Sequence, residues 1–515
     1  MVQTPRPAAR FLEMALLFNF VIHAVAMASM GLLLLPGTPG GNAADLARRA
    51  GYVAQHPWLW RVGWFPWQMT ALADLLLGIA LLVTPWIPRW PARIAALLTL
   101  AAIVPDQSGQ FLWVTHGVHL AQEAVRTRDF SGYAHFEAAV FQAVAAWGCL
   151  GYLAGAIGWT WCFAAAGTWS RLLTWLSVAT WGVFGVSTIC IFLPPAHRPA
   201  GFVAAGGNAV GFILLQLWLL LVLEQVLRRA RPDSAYGAWK PWRAPGKSPS
   251  GRCSALIANS RFARRIGELF PPPALRSDIR DVVYINYLVA SERLEKFVPA
   301  GLELQRLGPN GRYAMFSILT YRHGHFGPRI LGAFRRCTLS PVQSNWRLYV
   351  TDPRTGHAGV YFLTTAISSS VYALAGRLLS EGVPMHRLKS GHACRTAAGE
   401  FEIAIDPGAG SAPDLRASLH LSTGEPALPA AFRECFANYR EFLAHCVPQD
   451  RALAPQPWYA RTARQEITLG IPLEACVPLQ GTVESKAAAE ITGGVEPVCF
   501  TIPSVTFRFD REYLE

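Results

Sequence analysis

Up to Leu227 the chain is dominated by apolar runs long enough to cross a bilayer, and this limits what it can fold into more than any other feature. A membrane-spanning helix needs about 20 mostly apolar residues. Six runs meet that need, at 12–35, 67–87, 92–118, 134–157, 171–193 and 201–227. In hydrocarbon every backbone group must be satisfied internally, so runs of this kind predict a transmembrane helix bundle. Pro36, Pro85, Pro88, Pro194 and Pro195 fall at their ends, where a missing backbone donor does least harm. Trp58, Trp60, Trp86, Trp90, Trp159 and Trp161 cluster near the same ends, as an aromatic belt requires. The first run begins close to Arg10, is too long for a signal peptide and lacks a small-residue cleavage site. It reads as a retained span.

Polar groups interrupt these spans at depth. Asn19 and His23 share a helix face at i, i+4, and Asp74, Asp106 and Glu137 follow in later spans. The segment "IVPDQSGQF" predicts a proline-broken helix opening onto a polar cavity. Two readings of the set are open: hydrogen bonds that glue helices together, or a ligand, proton or ion site. His116, His119 and His135-x-Glu137 flank a loop without any zinc spacing, so no metal is expected. Lys and Arg counts in the short loops are nearly balanced, and the basic run after Leu227 decides the orientation. It places both termini on the cytoplasmic side.

The net charge of +13 is concentrated. Between Arg228 and Arg265 stand ten basic residues against Asp233 alone. A basic stretch directly after an apolar helix meets anionic lipid headgroups, and no zinc-finger or RNA-binding signature accompanies it, so nucleic acid is not an expected partner. The stretch 228–274, rich in Pro and Gly, reads as a linker between a six-span domain at 1–227 and a soluble domain at 275–515. Within it, "LIANSRFARRIGELF" sets Leu256, Phe262, Ile266 and Leu269 on one helical face and Arg261, Arg264 and Arg265 on the other. That suits a helix lying in the headgroup plane or one packed on the soluble domain. The ten cysteines form no CxxC pair, which fits reduced thiols.

From Arg280 onward, runs such as "VVYINYLV", "RYAMFSILTY", "NWRLYVTD" and "GVYFLTTAI" alternate as strands do, with turns such as "GPNG" and "DPRTG" between them. "SERLEKFVP" and "SSSVYALAGRLLSEG" read as helices. The assembly these predict is a largely antiparallel sheet closing toward a barrel, so the whole chain is a helix bundle followed by an α+β domain. "NYLVASERLEKFVPAGLEL", "NWRLYV", "AGVYFL" and "FTIPSVTFRFD", in that order, resemble the uncharacterised bacterial DUF2071-type family of the acetoacetate decarboxylase-like superfamily. The resemblance covers about Asp281 to Asp510 and implies a cone-like β-barrel with a central pocket. It also implies a bacterial inner membrane as the location of the apolar half. In the decarboxylase a lysine just after a proline forms an imine with a β-keto acid, and a second lysine beside it lowers its pKa. In "GVPMHRLKSG" the two positions after Pro384 hold Met385 and His386, so the resemblance does not extend to that nucleophile. Where the family tends to carry a carboxylate, two residues before its Asn-x-Arg motif, this chain has Gln343.

The pocket that remains is expected to bind a small organic acid, ketone or lipid-derived molecule, without a cofactor. Asn345, Arg347 and Tyr349 share one face of a strand, Gln343 precedes them, and Tyr361 lies on a neighbouring strand. Arg377, Glu381, His386 and Lys389 come from the helix and turn expected to close the cone. An arginine fork suits a carboxylate. Alternatives are an enzyme using the same pocket with His386 as acid/base, helped by Lys389 or Glu381, and a membrane transporter with a regulatory soluble domain. "RHGHFGPR" reads as a surface loop, since His323 and His325 lack a third ligand.

Overall fold

The structure, a computed structural model, describes all residues except 1–6, 40–44, 168, 194–196, 198–200, 231–240, 268, 271–272, 381, 384, 397–398, 423, 448–449, 457–460 and 515. The chain divides into two compact units, the first Pro5–Ala230 and the second chiefly Arg231–Glu515.

In the first unit five helical segments are long and apolar enough to cross a membrane: Ala8–Gly37, Pro57–Val83, Ser131–Ala165, Arg171–Phe192 and Gly206–Arg229. The expected count of six is therefore corrected to five among the described residues. The third expected span is present as the helix Arg89–Val114, but the polar run from Asp106 to Gln110 leaves it short of that apolar standard. Nor is that helix broken. It runs straight through Pro105, whose missing N–H removes one backbone bond without ending the spiral. Asp106 instead accepts from Gln107 Nε2 and Gln110 Nε2, each at 2.8 Å, and from Tyr152 Oη at 3.0 Å. Asn19 Nδ2 donates to Asp74 Oδ1 at 2.6 Å, and His23 Nδ1 lies 3.0 Å from the Asn19 carbonyl.

Glu137, expected to take part in interhelical hydrogen bonding or a ligand, proton or ion site, is held in an ion pair. The short helix Leu46–Gln55 brings Arg49 against it, with Nε and Nη2 donating to the two carboxylate oxygens at 2.9 and 2.6 Å. Both side chains are nearly buried. Breaking such a pair strands a charge, at a cost of about 3–5 kcal/mol. Arg49→Met should therefore destabilise the helical unit strongly in detergent thermal denaturation, and Arg49→Met/Glu137→Leu should recover most of the loss. Equal losses in the two variants would remove the ion-pair account.

The second unit is built on seven strands that close into a ring: β1 (Leu275–Ala290), β2 (Tyr313–Arg322), β3 (Val342–Thr351), β4 (Ala358–Ile367), β5 (Arg451–Gln456), β6 (Arg461–Leu469) and β7 (Val498–Leu514). Neighbours pair antiparallel except β4 and β5, which meet in parallel at Val360 and Ala452. Long β1 closes the ring by pairing with β7 from Leu275–Phe509 to Asn286–Val498. A bulge in β1, where Asp281 takes φ +50°, resets the alternation so that Ile279, Val282 and Tyr284 all face inward.

From β7 the sheet continues outward through Val477–Glu484, Leu415–Leu421, Phe401–Asp406 and Ser390–Arg395. This second layer packs Phe401, Ile403, Leu415 and Leu479 on the outer face of the ring, against Ile318, Trp346, Leu348 and Tyr361. Strands β1 to β4 are consequently buried on both faces, which is why they read as nearly continuous apolar runs. Inside, Tyr284, Leu319, Tyr349 and Phe500 meet Phe432 and Phe442 from the helices Ala430–Cys435 and Tyr439–Cys446, with Phe436 from the turn between them.

The segment after Pro241 belongs to this unit rather than forming a free tether. Trp242 is buried against Ala258, Phe326 and Met385. The Asn259 amide holds Trp242 at both ends, Oδ1 accepting from its N–H and Nδ2 donating to its carbonyl, each at 2.8 Å. The expected amphipathic helix is two helices, Pro249–Asn259 and Arg261–Gly267, broken at Ser260. Arg261 and Arg264 are buried and Leu256 is exposed, the reverse of the expected facing. Arg264 turns inward because its Nη1 caps the Arg377 carbonyl at 3.0 Å.

Candidate functional site

Strand β3 supplies the site. Its alternation sends Trp346 and Leu348 into the outer core and Gln343, Asn345, Arg347 and Tyr349 inward. Inside the ring Asn345 and Arg347 border a cavity with about 30 Å³ of space open to a water-sized body. Tyr284, Tyr321, Val360, Phe362 and Ile467 form much of the rest of its wall.

Arg347 is 3% exposed. Among the described residues its guanidinium meets only neutral acceptors: Nη2 donates to Tyr349 Oη at 3.2 Å and to the Cys446 carbonyl at 3.1 Å. The rings of Tyr284 and Tyr349 each lie 5.4 Å from its central carbon. Burial is the largest influence on its charge and opposes it. Among the described residues its Nε–H meets no hydrogen-bond acceptor. A buried charge left this way is costly unless something completes it.

A second donor reaches the same wall through a chain of hydrogen bonds that runs in one direction. Gln343 Nε2 donates to Asn345 Oδ1 at 2.7 Å, and Asn345 Nδ2 donates to Tyr321 Oη at 3.0 Å. Gln343 Oε1 must then accept, so the proton at its 2.8 Å contact with His323 lies on Nε2. The other ring nitrogen, Nδ1, is left bare 2.8 Å from Ser277 Oγ, whose hydroxyl also reaches the Gly324 carbonyl at 3.3 Å. Burial pushes the His323 imidazole down to about 4, against the bond to Gln343, so the ring is neutral at pH 7. Burial pushes the Tyr321 phenol up, keeping its proton in place. The Tyr321 O–H thus stands at the end of the relay, and among the described residues its proton is unspent. Tyr321 and Arg347, which carry these two donors, both line the cavity among mostly apolar side chains.

The remaining expected site residues lie elsewhere. Tyr361 faces the outer core, because β4 sends Val360 and Phe362 inward and Tyr361 the other way. Arg377 is buried outside the ring, where Nε donates to the Ala258 carbonyl at 2.9 Å. Burial, with Arg264 and Arg261 beside it, pushes its pKa down to about 9. It clamps the helix Pro249–Asn259 and does not line the cavity. His386 is opposite Ala366 on the outer side of β4, with Nδ1 2.7 Å from Ser411 Oγ. The Lys389 side chain is 62% exposed and pairs with Asp406 at 3.2 Å. Glu381 and Pro384 fall outside the described residues.

His323, read from sequence as part of a surface loop, is a buried member of the relay. Tyr321, His323 and Ser277 were not singled out as site residues, although "LTYRH" already sets Tyr321 and His323 in one phase. The meeting of Tyr321 and His323 with Gln343 follows from the pairing of β2 with β3, which sequence spacing does not contain. No group of three or more metal-ligating side chains occurs among the described residues.

Residues 276–431 match the DUF2071 family of uncharacterized conserved proteins. No curated protein matches the chain. Similar solved structures include the enduracididine biosynthesis enzyme MppR with HEPES buffer bound, at 16% identity over 48% of this chain and 89% of that one, TM-score 0.33. The same enzyme complexed with pyruvate is 16% identical over 52% of this chain and 94% of that one, TM-score 0.34. An acetoacetate decarboxylase-like enzyme from Sphingomonas wittichii RW1 is 11% identical over 48% of this chain and 94% of that one, TM-score 0.34.

Proposed function

We propose that the barrel cavity binds a small carboxylate- or ketone-bearing molecule, held by the Arg347 guanidinium and the Tyr321 hydroxyl. The observation that carries this reading is the buried, carboxylate-free guanidinium with an unspent N–H at a cavity wall. An anionic or carbonyl oxygen completes both donors at once, and the low dielectric around it strengthens each bond. The size of the cavity favours short-chain compounds over long lipids. The apolar helices of the first unit would hold this binding domain at a membrane.

Imine chemistry has no support in the site. None of the residues lining the cavity is a lysine, and Lys389 is spent on a surface ion pair. His386, on the outer side of β4, offers no proton to a ligand in the cavity.

Calorimetric titration of the full chain in detergent with pyruvate, acetoacetate and acetone tests the proposal. Tyr321→Phe should weaken binding about fivefold, the worth of one neutral hydrogen bond, and Lys389→Ala should leave it unchanged. A borohydride-trapped adduct on any lysine, or affinity untouched by both Tyr321→Phe and loss of Arg347, would overturn it.

A further inference from the structure

On the second unit the exposed large apolar side chains are not scattered. Among the described residues all but Leu421 and Val495 fall on the helices Pro249–Asn259 and Ser370–Leu379, on Leu269 and Phe270, or between Ile330 and Leu339. These segments are neighbours. The Arg329 N–H donates to the Ala274 carbonyl at 2.8 Å, which sets the 330–339 segment beside the chain arriving from Phe270. Tyr372, next to exposed Val371, donates to the Phe326 carbonyl just before the same segment.

The segment Arg329–Cys337 is a pair of short turns kinked at Gly332, where φ is +51°. Ile330 is 93% exposed and Phe334 77%. Their exposure is not the result of a loose loop. Arg335 is tucked underneath, with Nη1 on the His325 carbonyl at 3.3 Å and Nη2 3.6 Å from Asp278. Thr338 Oγ1 caps the Arg335 carbonyl at 2.6 Å. The fold thus holds Ile330 and Phe334 outward against the cost of keeping them in water.

Charge supplies the partner. No Asp or Glu occurs between residues 304 and 351, whereas Arg329 and Arg336 are exposed on the rim of the apolar turns. Arg329 has one acidic neighbour, Asp510, at 3.8 Å. Apolar side chains projecting through a basic rim suit the headgroup–acyl boundary of an anionic bilayer. The chain also has helices apolar enough to cross a membrane. Residues 231–240 separate the last of these from Pro241 and reach at most about 36 Å when fully extended.

We infer that the turns at Arg329–Cys337, with Leu339, Leu269 and Phe270, form a lipid-docking surface that inserts Ile330 and Phe334 into an anionic bilayer. This does not depend on the ligand proposed for the barrel.

The test uses the full chain reconstituted into vesicles of phosphatidylcholine with phosphatidylglycerol, carrying an environment-sensitive fluorescent amino acid in place of Ile330. The expected result is blue-shifted emission, roughly halved by nitroxide-labelled lipid. The same probe at exposed Glu400 should show neither effect. Arg329→Gln/Arg336→Gln should lower the ratio of docked to undocked protein on the order of tenfold, as should replacing the anionic lipid with phosphatidylcholine. Phe334→Ser should reduce quenching without altering ligand titration. Emission and quenching at position 330 equal to those at 400 would overturn the inference. So would a blue shift that lipid nitroxides do not quench but that grows with protein-to-lipid ratio, since the surface would then join copies of the chain.

Discussion

Replacing Arg347 by methionine is expected to stabilise the barrel while weakening its affinity for small carboxylates about tenfold or more. The two effects have one cause. The guanidinium is buried and, among the described residues, faces a phenol, a backbone carbonyl and two aromatic rings. Removing a charge of this kind in favour of an apolar side chain of similar length is worth about 1–4 kcal/mol of stability. The partners left behind are not stranded, because Tyr349 Oη lies 3.3 Å from the Cys446 carbonyl and 3.0 Å from Ser317 Oγ. A carboxylate loses a charge-assisted bond, a penalty of about 1.5–3 kcal/mol or about 10- to 150-fold in affinity. Hydrogen exchange of peptides from β3 and β4 reads the stability of this unit separately from the helical one. Calorimetry reads the affinity. An arginine kept only for structure would give the opposite signature: slower exchange in the wild type and unchanged binding in the variant.

How much of this was legible in the sequence depends on which face of each strand meets water. In β3 the polar residues Asn345 and Arg347 alternate with Trp346 and Leu348, so their common direction is plain from the residues alone. In β4 the run "GVYFLTTAI" is buried on both faces by the ring interior and the second sheet, and no alternation marks which way Tyr361 points. The arginines of the linker mislead for a related reason. A helical wheel assigns Arg261 and Arg264 to solvent, but a guanidinium can be buried wherever backbone carbonyls receive it, as the Arg377 carbonyl does. Resemblance to a catalytic turn puts the turn around Lys389 near the pocket. Its hydrogen bond from Lys389 N to the Asp406 carbonyl ties it to the outer sheet instead. In the membrane half, one acidic position needed a partner from a short helix outside the apolar runs, and hydropathy says nothing about that pairing.

His323 gives the second large prediction, a loss of barrel stability in mild acid. Its imidazole is held neutral with a pKa near 4, against an ordinary value of 6.5. His445, stacked on Tyr349 with ring centroids 5.1 Å apart, is pushed down to about 4 by burial and by Arg347. Between those limits the unfolded chain binds protons that the folded one does not, so stability rises with pH and is lost as the pH falls from about 6.5 toward 4. Each histidine contributes on the order of 3 kcal/mol to the full change. Hydrogen exchange in the barrel strands should accelerate steeply between pH 6.5 and 5, once the intrinsic pH dependence is subtracted. His323→Gln keeps an N–H donor toward Gln343 Oε1 and removes the titration, so roughly half the acid sensitivity should disappear while the relay to Tyr321 survives. His323→Phe removes the donor as well. Gln343 is then free to turn its amide, Asn345 loses its fixed orientation, and the Tyr321 proton is no longer committed to the cavity. Ligand affinity should fall in His323→Phe but not in His323→Gln. A pH profile unchanged in His323→Gln/His445→Gln would show that other groups carry the acid response.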